Sequence, residues 1–202
     1  MARYRESRTK VCRRLGVQLV RNSGVSKSLS RREILNTGRR PGKVSEFGVR
    51  LKEKQKIRFY YEISEKQLRN YYLEAQRLPG NSAIMLLTLL ERRLDNAICQ
   101  MRFATTMSDA RQMVVHGHVT VNGKKCSSPA YQLNVGDIIG VRAKQSSQNR
   151  AKFALGQVRD HLTPEWIVVN EDELTGRVSR LPERPDVRCP VEEQKVIEFY
   201  SR

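Results

Sequence analysis

Aromatic side chains are scarce in this chain, 6% of 202 residues with a single tryptophan, and 21 carboxylates face 38 Lys and Arg. With 39% apolar residues and so few large rings, the sequence supports modest cores rather than one large one, in one or two small domains. Cysteine is sparse and dispersed: Cys12, Cys99, Cys126 and Cys189 include no pair at C-x-x-C spacing. That excludes a zinc ribbon and a disulfide framework, and predicts reduced thiols, no metal and no cofactor. No apolar run approaches the roughly 18 residues of a membrane span, and no apolar segment follows the basic start as in a signal peptide. Neither His116 nor His118 has a Cys, Ser or carboxylate constellation beside it, and no catalytic residue is expected.

What is abundant is positive charge, formally +17. Its distribution is uneven. Residues 1–56 carry 17 basic and 4 acidic side chains, a local +13; residues 57–90 are close to neutral at +1. Residues 91–153 return to +6, and residues 154–202 fall to −3. A solvated basic face accounts for any single run, whereas the N-terminal excess as a whole predicts a polyanion partner, bound by counterion release.

The segment from Glu91 to Lys144 has a helix-then-hairpin pattern. Ser108 is a candidate N-cap, Asp109 lies in the first turn where the helix dipole favours an anion, and Gly117 offers a left-handed stop. Arg111, Gln112 and His116 fall toward one side of that helix. Val119 and Val121 then alternate with polar neighbours, and Asn122-Gly123 is the pair preferred by a two-residue hairpin turn, with Lys124 and Lys125 on the return strand. Ile138–Val141 is a third strand after the Asn134-Val135-Gly136-Asp137 turn. The spacing thus predicts two helices and three short strands framing a groove lined with basic and amide groups.

Elsewhere the pattern is mainly helical. Residues 1–44 form a basic arm with few apolar anchors, expected to order when phosphate neutralises it. Ser45 opens a helix with Phe47, Leu51 and Ile57 inward and Arg50, Lys52, Lys54 and Lys56 outward. Ser64-Glu65-Lys66-Gln67 fits a capping box ahead of the stripe Leu68, Tyr71, Tyr72, Ala75 and Leu78, with Pro79-Gly80 as the stop. A third helix is predicted from Ser82 to about Met101. Trp166–Val169 reads as a strand, and Pro190 as the start of a final amphipathic helix containing Val196, Ile197 and Tyr200.

Arg93-Leu94-Asp95-Asn96, Ala110-Arg111-Gln112, Gly117-His118-Val119 and Val121-Asn122-Gly123 together resemble the RNA-binding domain first described in small-subunit ribosomal protein four. The flanks resemble that family too: Met1-Ala2-Arg3-Tyr4-Arg5, Arg13-Arg14-Leu15-Gly16, Ser45-Glu46-Phe47-Gly48, Leu181-Pro182-Glu183-Arg184 and Glu198-Phe199-Tyr200-Ser201-Arg202. The resemblance covers essentially the whole chain and is of the bacterial or plastid type. It implies an α+β, mainly helical fold: a basic arm (1–44), a helical domain (45–91), an inserted RNA-binding domain (92–153) and a C-terminal segment (154–202) returning to the helical domain. It also implies a structural, non-enzymatic role in the small subunit and direct 16S ribosomal RNA binding that nucleates assembly of the subunit body. Further implications are an interface with protein five, an accuracy role shared with protein twelve, protein three as a neighbour at the messenger entry path, and a location in cytoplasm or plastid stroma. Some relatives carry an N-terminal cysteine cluster that binds zinc; here only Cys12 is available.

Candidate RNA contacts are Arg3, Tyr4, Arg5, Arg13, Arg14, Arg39, Arg40 and Lys43 in the arm, and Arg50, Lys54, Lys56 and Arg69 in the helical domain. In the inserted domain they are Arg93, Arg111, Gln112, His116, His118, Asn122, Lys124 and Lys125. Arg92 and Arg93 are equally open to pairing with Glu91 or Asp95, and His116 and His118 to a plain capping role. Tyr4, Phe59, Tyr60 and Tyr61 can stack on bases or fill a core. Two other function classes were weighed. Arg93-Leu94-Asp95 matches the start of the pseudouridine synthase signature, but Asn96-Ala97-Ile98 does not continue it. A free-standing RNA-binding factor would share the central domain without needing the arm or the C-terminal match.

Overall fold

The computed structural model describes residues 7–19, 45–158 and 162–201. Among these the chain forms eight α-helices and one five-stranded antiparallel sheet, a mixed α+β fold. A first unit takes the described residues up to Met85 and resumes at Arg188; a second, inserted along the chain between them, takes Leu86–Val187. The inserted unit therefore extends well past the expected boundary at residue 153, because later strands complete its sheet.

In the first unit, α1 (Arg8–Leu15) buries Val11, Cys12 and Leu15 against Phe59 and Tyr60. It ends at Gly16, whose φ of 71° lets its N–H reach the Cys12 carbonyl at 2.8 Å. This part of the arm is folded by its own apolar stripe, contrary to the expectation of order only on phosphate. The expected contacts at Arg3, Tyr4, Arg5, Arg39, Arg40 and Lys43 lie outside the described residues.

Ser45 opens α2 (Glu46–Tyr60), its hydroxyl accepting from the Gly48 N–H at 3.2 Å. The expected facing of α2 is corrected: Phe47 is 59% exposed, while Glu53, Lys54 and Ile57 are buried. The reason is tertiary. Helix α8 (Glu193–Tyr200) lies along α2 and accepts Lys54 between its aromatics, and Phe47 packs only at 5.5 Å from Phe199 at the rim. In α3 (Glu65–Arg77) the predicted capping box is present, and Leu68, Tyr71, Tyr72 and Ala75 form the buried face. Helix α8 begins three residues after Pro190 and stacks Tyr200 on Tyr72 at 4.9 Å.

The single helix expected over Ser82–Met101 is broken. Helix α4 (Ser82–Glu91) stops, Arg92 turns, Arg93 runs extended, and α5 (Leu94–Gln100) restarts. The break follows from backbone pairing with a distant loop. Leu133 donates to the Arg92 carbonyl at 2.9 Å, Leu94 donates to that of Tyr131 at 3.0 Å, and Arg93 bridges Gln132. Helix α6 (Met107–Val115) is capped by Thr106, whose hydroxyl accepts from the Asp109 N–H at 3.2 Å, and not by Ser108 as predicted. Thr106 has the extended backbone a cap requires, at φ −144° and ψ 162°.

The sheet comprises β1 (Val119–Val121), β2 (Lys124–Lys125), β3 (Ile138–Val141), β4 (Ile167–Asn170) and β5 (Thr175–Val178), in the order β2-β1-β3-β5-β4. Asn122 and Gly123 both have positive φ, 51° and 75°, as the predicted hairpin turn demands. Three strands were expected here and a fourth at Trp166–Val169, which forms β4. The unforeseen β5 joins it to the others, because β5 pairs with both β4 and β3 through Ile167↔Val178 and Ile139↔Gly176. One face buries Val119, Val121, Ile139, Val141 and Val178 against Leu94, Ile98 and Met113, with Trp166 fully enclosed. Each such aliphatic side chain contributes about 1.5–3 kcal/mol on burial. Helix α7 (Gln145–Gln157) had no place in the sequence prediction, since its buried stripe is Ser147, Ala151 and Ala154 rather than large apolar residues.

Candidate nucleic-acid interface

In the inserted unit the polar groups of α6 are held by two carboxylates. Asp95, with a fully buried side chain, accepts from Arg93 at 2.7 and 2.9 Å and from Arg111 at 2.8 and 3.1 Å. One acid between two guanidinium groups leaves a net positive charge, and only Arg111 keeps surface access, at 20% exposure against 1% for Arg93. Arg93 is therefore corrected from RNA contact to internal ion pair, the alternative its sequence already offered. Asp109, at the start of α6, accepts from Thr105 N–H at 3.0 Å and pairs with Arg150 of α7, which also donates to Gln112 at 3.1 Å.

The C-terminal end of α6 turns at Gly117, φ 71°, into β1. A Cβ at Gly117 would collide with the Lys125 side chain, so the strand lysine lies directly over this turn, with Lys124 exposed beside it. His116 is exposed and its ring is 6.2 Å from that of His118. His118 shares a 2.8 Å hydrogen bond between Nδ1 and the buried Ser147 hydroxyl. Burial, and then the charges of Arg150, His116, Lys144 and Arg142, hold its imidazole below the ordinary histidine range. Of the expected residues, His116 and His118 lie near each other just past α6 and Lys125 over the turn at Gly117, while Gln112 is joined to Arg150 and Arg111 is held separately on Asp95. Asn122 is used differently: its amide donates to Asp137 at 2.8 Å and accepts from the Ile138 N–H at 2.8 Å, locking the hairpin onto the following turn.

Arg142, Lys144 and Arg150 were missed by sequence reasoning. The available signal was the basic spacing in the stretch after β3, which lacked meaning until α7 placed Arg150 beside Gln112.

In the first unit the expected RNA contacts separate into two groups. Arg13, Arg14 and Arg69 are exposed, the first two in the last turn of α1, where cations complement the helix dipole. Arg50 instead pairs with Glu198 at 2.6 Å, and Lys56 with Glu53 at 2.6 Å. Lys54 donates to Glu65 at 2.8 Å and sits 4.2 Å from the Phe199 ring centroid. All three are thus engaged within the first unit, Arg50 by α8, Lys54 by α3 and the α8 aromatics, and Lys56 by Glu53 of α2 itself. Tyr61 is fully buried and Phe59 and Tyr60 pack on α1, which settles their core reading. Among the described residues no group of three or more Cys, His, Asp or Glu is placed to hold a metal ion.

A model of the ribosomal protein S4/S9 N-terminal domain matches residues 3–91, and a model of the S4 domain matches residues 92–139. These matches define a ribosomal protein with an S4 RNA-binding domain, a structural protein rather than an enzyme. The chain is also 43% identical to the small ribosomal subunit protein uS4 of Akkermansia muciniphila over 208 aligned positions, covering 100% of both chains. It belongs to the uS4 family of the small ribosomal subunit.

Proposed function

We propose that the protein binds 16S-type ribosomal RNA directly and early, nucleating assembly of the body of the small subunit. The observation that carries this reading is the convergence of basic and amide groups beside α6, with Arg150 on Gln112, with Arg142, Lys144 and His116 around His118, and with Lys125 over the turn at Gly117. Cations and amide donors so arranged suit a phosphodiester backbone and grip it without reading base edges, so shape and backbone dominate recognition. Arg13, Arg14 and Arg69, together with the basic arm residues Arg3, Arg5, Arg39, Arg40 and Lys43, add phosphate contacts at an RNA junction, Tyr4 lying among them. Arg39, Arg40 and Lys43 act near the messenger entry path, where protein three is a neighbour. The protein forms an interface with protein five and shares with protein twelve a role in decoding accuracy. The protein works in the cytoplasm, or in plastid stroma if plastid-encoded.

Crosslinking to ribosomal RNA inside intact small subunits tests the reading. Crosslinks from the α6 end and from the arm are expected, and their absence from both would overturn it. Cofractionation at high ionic strength excludes a transient factor, which would wash off.

A further inference from the structure

The matched S4 domain ends at residue 139, yet the positive groups around His118 come mostly from beyond it. Arg142 follows β3 and its N–H donates to the His118 carbonyl at 2.8 Å. Lys144 is the N-terminal cap residue of α7, with no side chain capping the helix, and the Gln148 N–H donates to its carbonyl at 3.1 Å. Arg150 is one helical turn on from Ser147, which holds His118 Nδ1. From α6, His116 faces the same imidazole; Lys125 crosses the adjoining turn at Gly117, and Asp109 is engaged by Arg150. The corner thus concentrates Arg142, Lys144, Arg150 and two histidines at the start of a 13-residue helix, whose dipole adds to the positive potential.

Such a corner attracts an anion. We infer that it is a phosphate subsite of the RNA interface, outside the matched domain, and that His118 takes up a proton when a phosphodiester enters. This rests on the RNA-binding reading above and deepens it by adding a pH dependence. Without phosphate, the imidazolium would stand among Arg142, Lys144, Arg150 and His116, so the neutral form is favoured. A phosphate oxygen placed among them reverses that sign and stabilises the imidazolium, with the proton drawn from solvent.

The sign of the linkage follows. Binding tightens as pH falls through the window between the higher pKa of the complex and the lower pKa of the free protein, at a limit of about tenfold per pH unit for one proton. Full-length protein and in vitro transcribed 16S ribosomal RNA are titrated by filter binding from pH 8 to pH 5.5. Because RNA bases also titrate, the quantity read is the difference between wild type and His118→Asn, chosen because its amide can still reach Ser147. The expected result is a steeper tightening in wild type; parallel profiles would overturn proton uptake. Calorimetry of the wild type in two buffers of different ionisation enthalpy is the variant-free counterpart, and zero protons taken up across this range would overturn the same claim.

The subsite itself is tested by Arg142→Gln with Lys144→Gln, exposed positions whose replacement leaves the core intact. A fall in affinity and a shallower salt slope are expected, and an unchanged slope would remove the subsite. If wild type fails to bind the RNA at every pH, the RNA-binding reading falls; if it binds without the pH difference, only the proton linkage does.

Discussion

The buried carboxylate of Asp95 accepts from Arg111 at 2.8 Å, so the α5 acid fixes the guanidinium that α6 presents at the surface. Arg93 closes the same carboxylate from inside at 2.7 Å. Replacing Asp95 by Ala leaves Arg93 buried without its acid, and breaking a buried pair costs about 3–5 kcal/mol. Urea denaturation is expected to show a loss of that size. A loss below about 1 kcal/mol, the scale of an exposed pair, would mean that the network is not structural.

Gly117 answers to two constraints, its φ of 71° and the Lys125 side chain above it. Gly117→Ala is expected to cost about 1–2 kcal/mol from the left-handed backbone alone. It should also displace Lys125 and weaken RNA binding. Thermal melting and filter binding together separate the two effects, and a variant with wild-type melting would contradict the backbone argument.

Lys124 and Lys125 are exposed on β2. Changing both to Gln is expected to leave melting within about 0.5 kcal/mol of wild type, the range of ordinary surface substitutions. RNA affinity should fall, and the slope of log K against log salt should decrease by about 0.7–0.9 for each lost phosphate contact. Arg111→Gln with Lys124→Gln tests the same groove from both sides, and an unchanged slope would remove the groove assignment.

Glu65 gives the first unit an acid sensitivity. Burial alone would raise its carboxyl, but hydrogen bonds from Lys54 and Tyr200, both at 2.8 Å, hold it below its ordinary value. Burial and the Glu65 hydrogen bond push the Tyr200 hydroxyl up, so it remains a donor across the working range. A lowered folded-state pKa stabilises the fold above the unfolded glutamate value of about 4.3 and is lost as pH falls through the folded value. Wild type should therefore lose more stability than Glu65→Gln between pH 5 and pH 3 in urea melts. Equal losses would show that the carboxylate is not linked to folding.

Metal analysis of purified protein should find well under one zinc per chain, since Cys12, Cys99, Cys126 and Cys189 form no disulfide and are dispersed in sequence. Stoichiometric zinc would contradict this.

Local chemistry made much of the fold legible. The Ser64–Gln67 capping box, the Ser45 cap, the Asn122-Gly123 turn and the Gly117 stop are short-range devices whose partners lie within a few residues, and all four are present. The family motif likewise depends on contiguous residues. The break at Arg92–Arg93 was not legible, because Leu133 and Tyr131 impose it from some forty residues away. Helix α7 escaped because small buried residues leave a weak periodic signal, and β5 because Thr175-Gly176-Arg177-Val178 has little strand character without β3 beside it.

The same division runs through the candidate interface. Charge pattern pointed to a polyanion partner, because counterion release depends on how many cations a chain carries and in which region, and the motif resemblance narrowed that partner to RNA. Which cations face outward was decided only by tertiary structure. Lys54 reads no differently from Lys124 or Arg13 along the chain, and Arg93 reads as open to either role. Packing α8 on α2 and Asp95 against Arg93 takes Lys54 and Arg93 out of water, where a charge must find its partner inside the protein, and leaves Lys124 and Arg13 exposed to solvent.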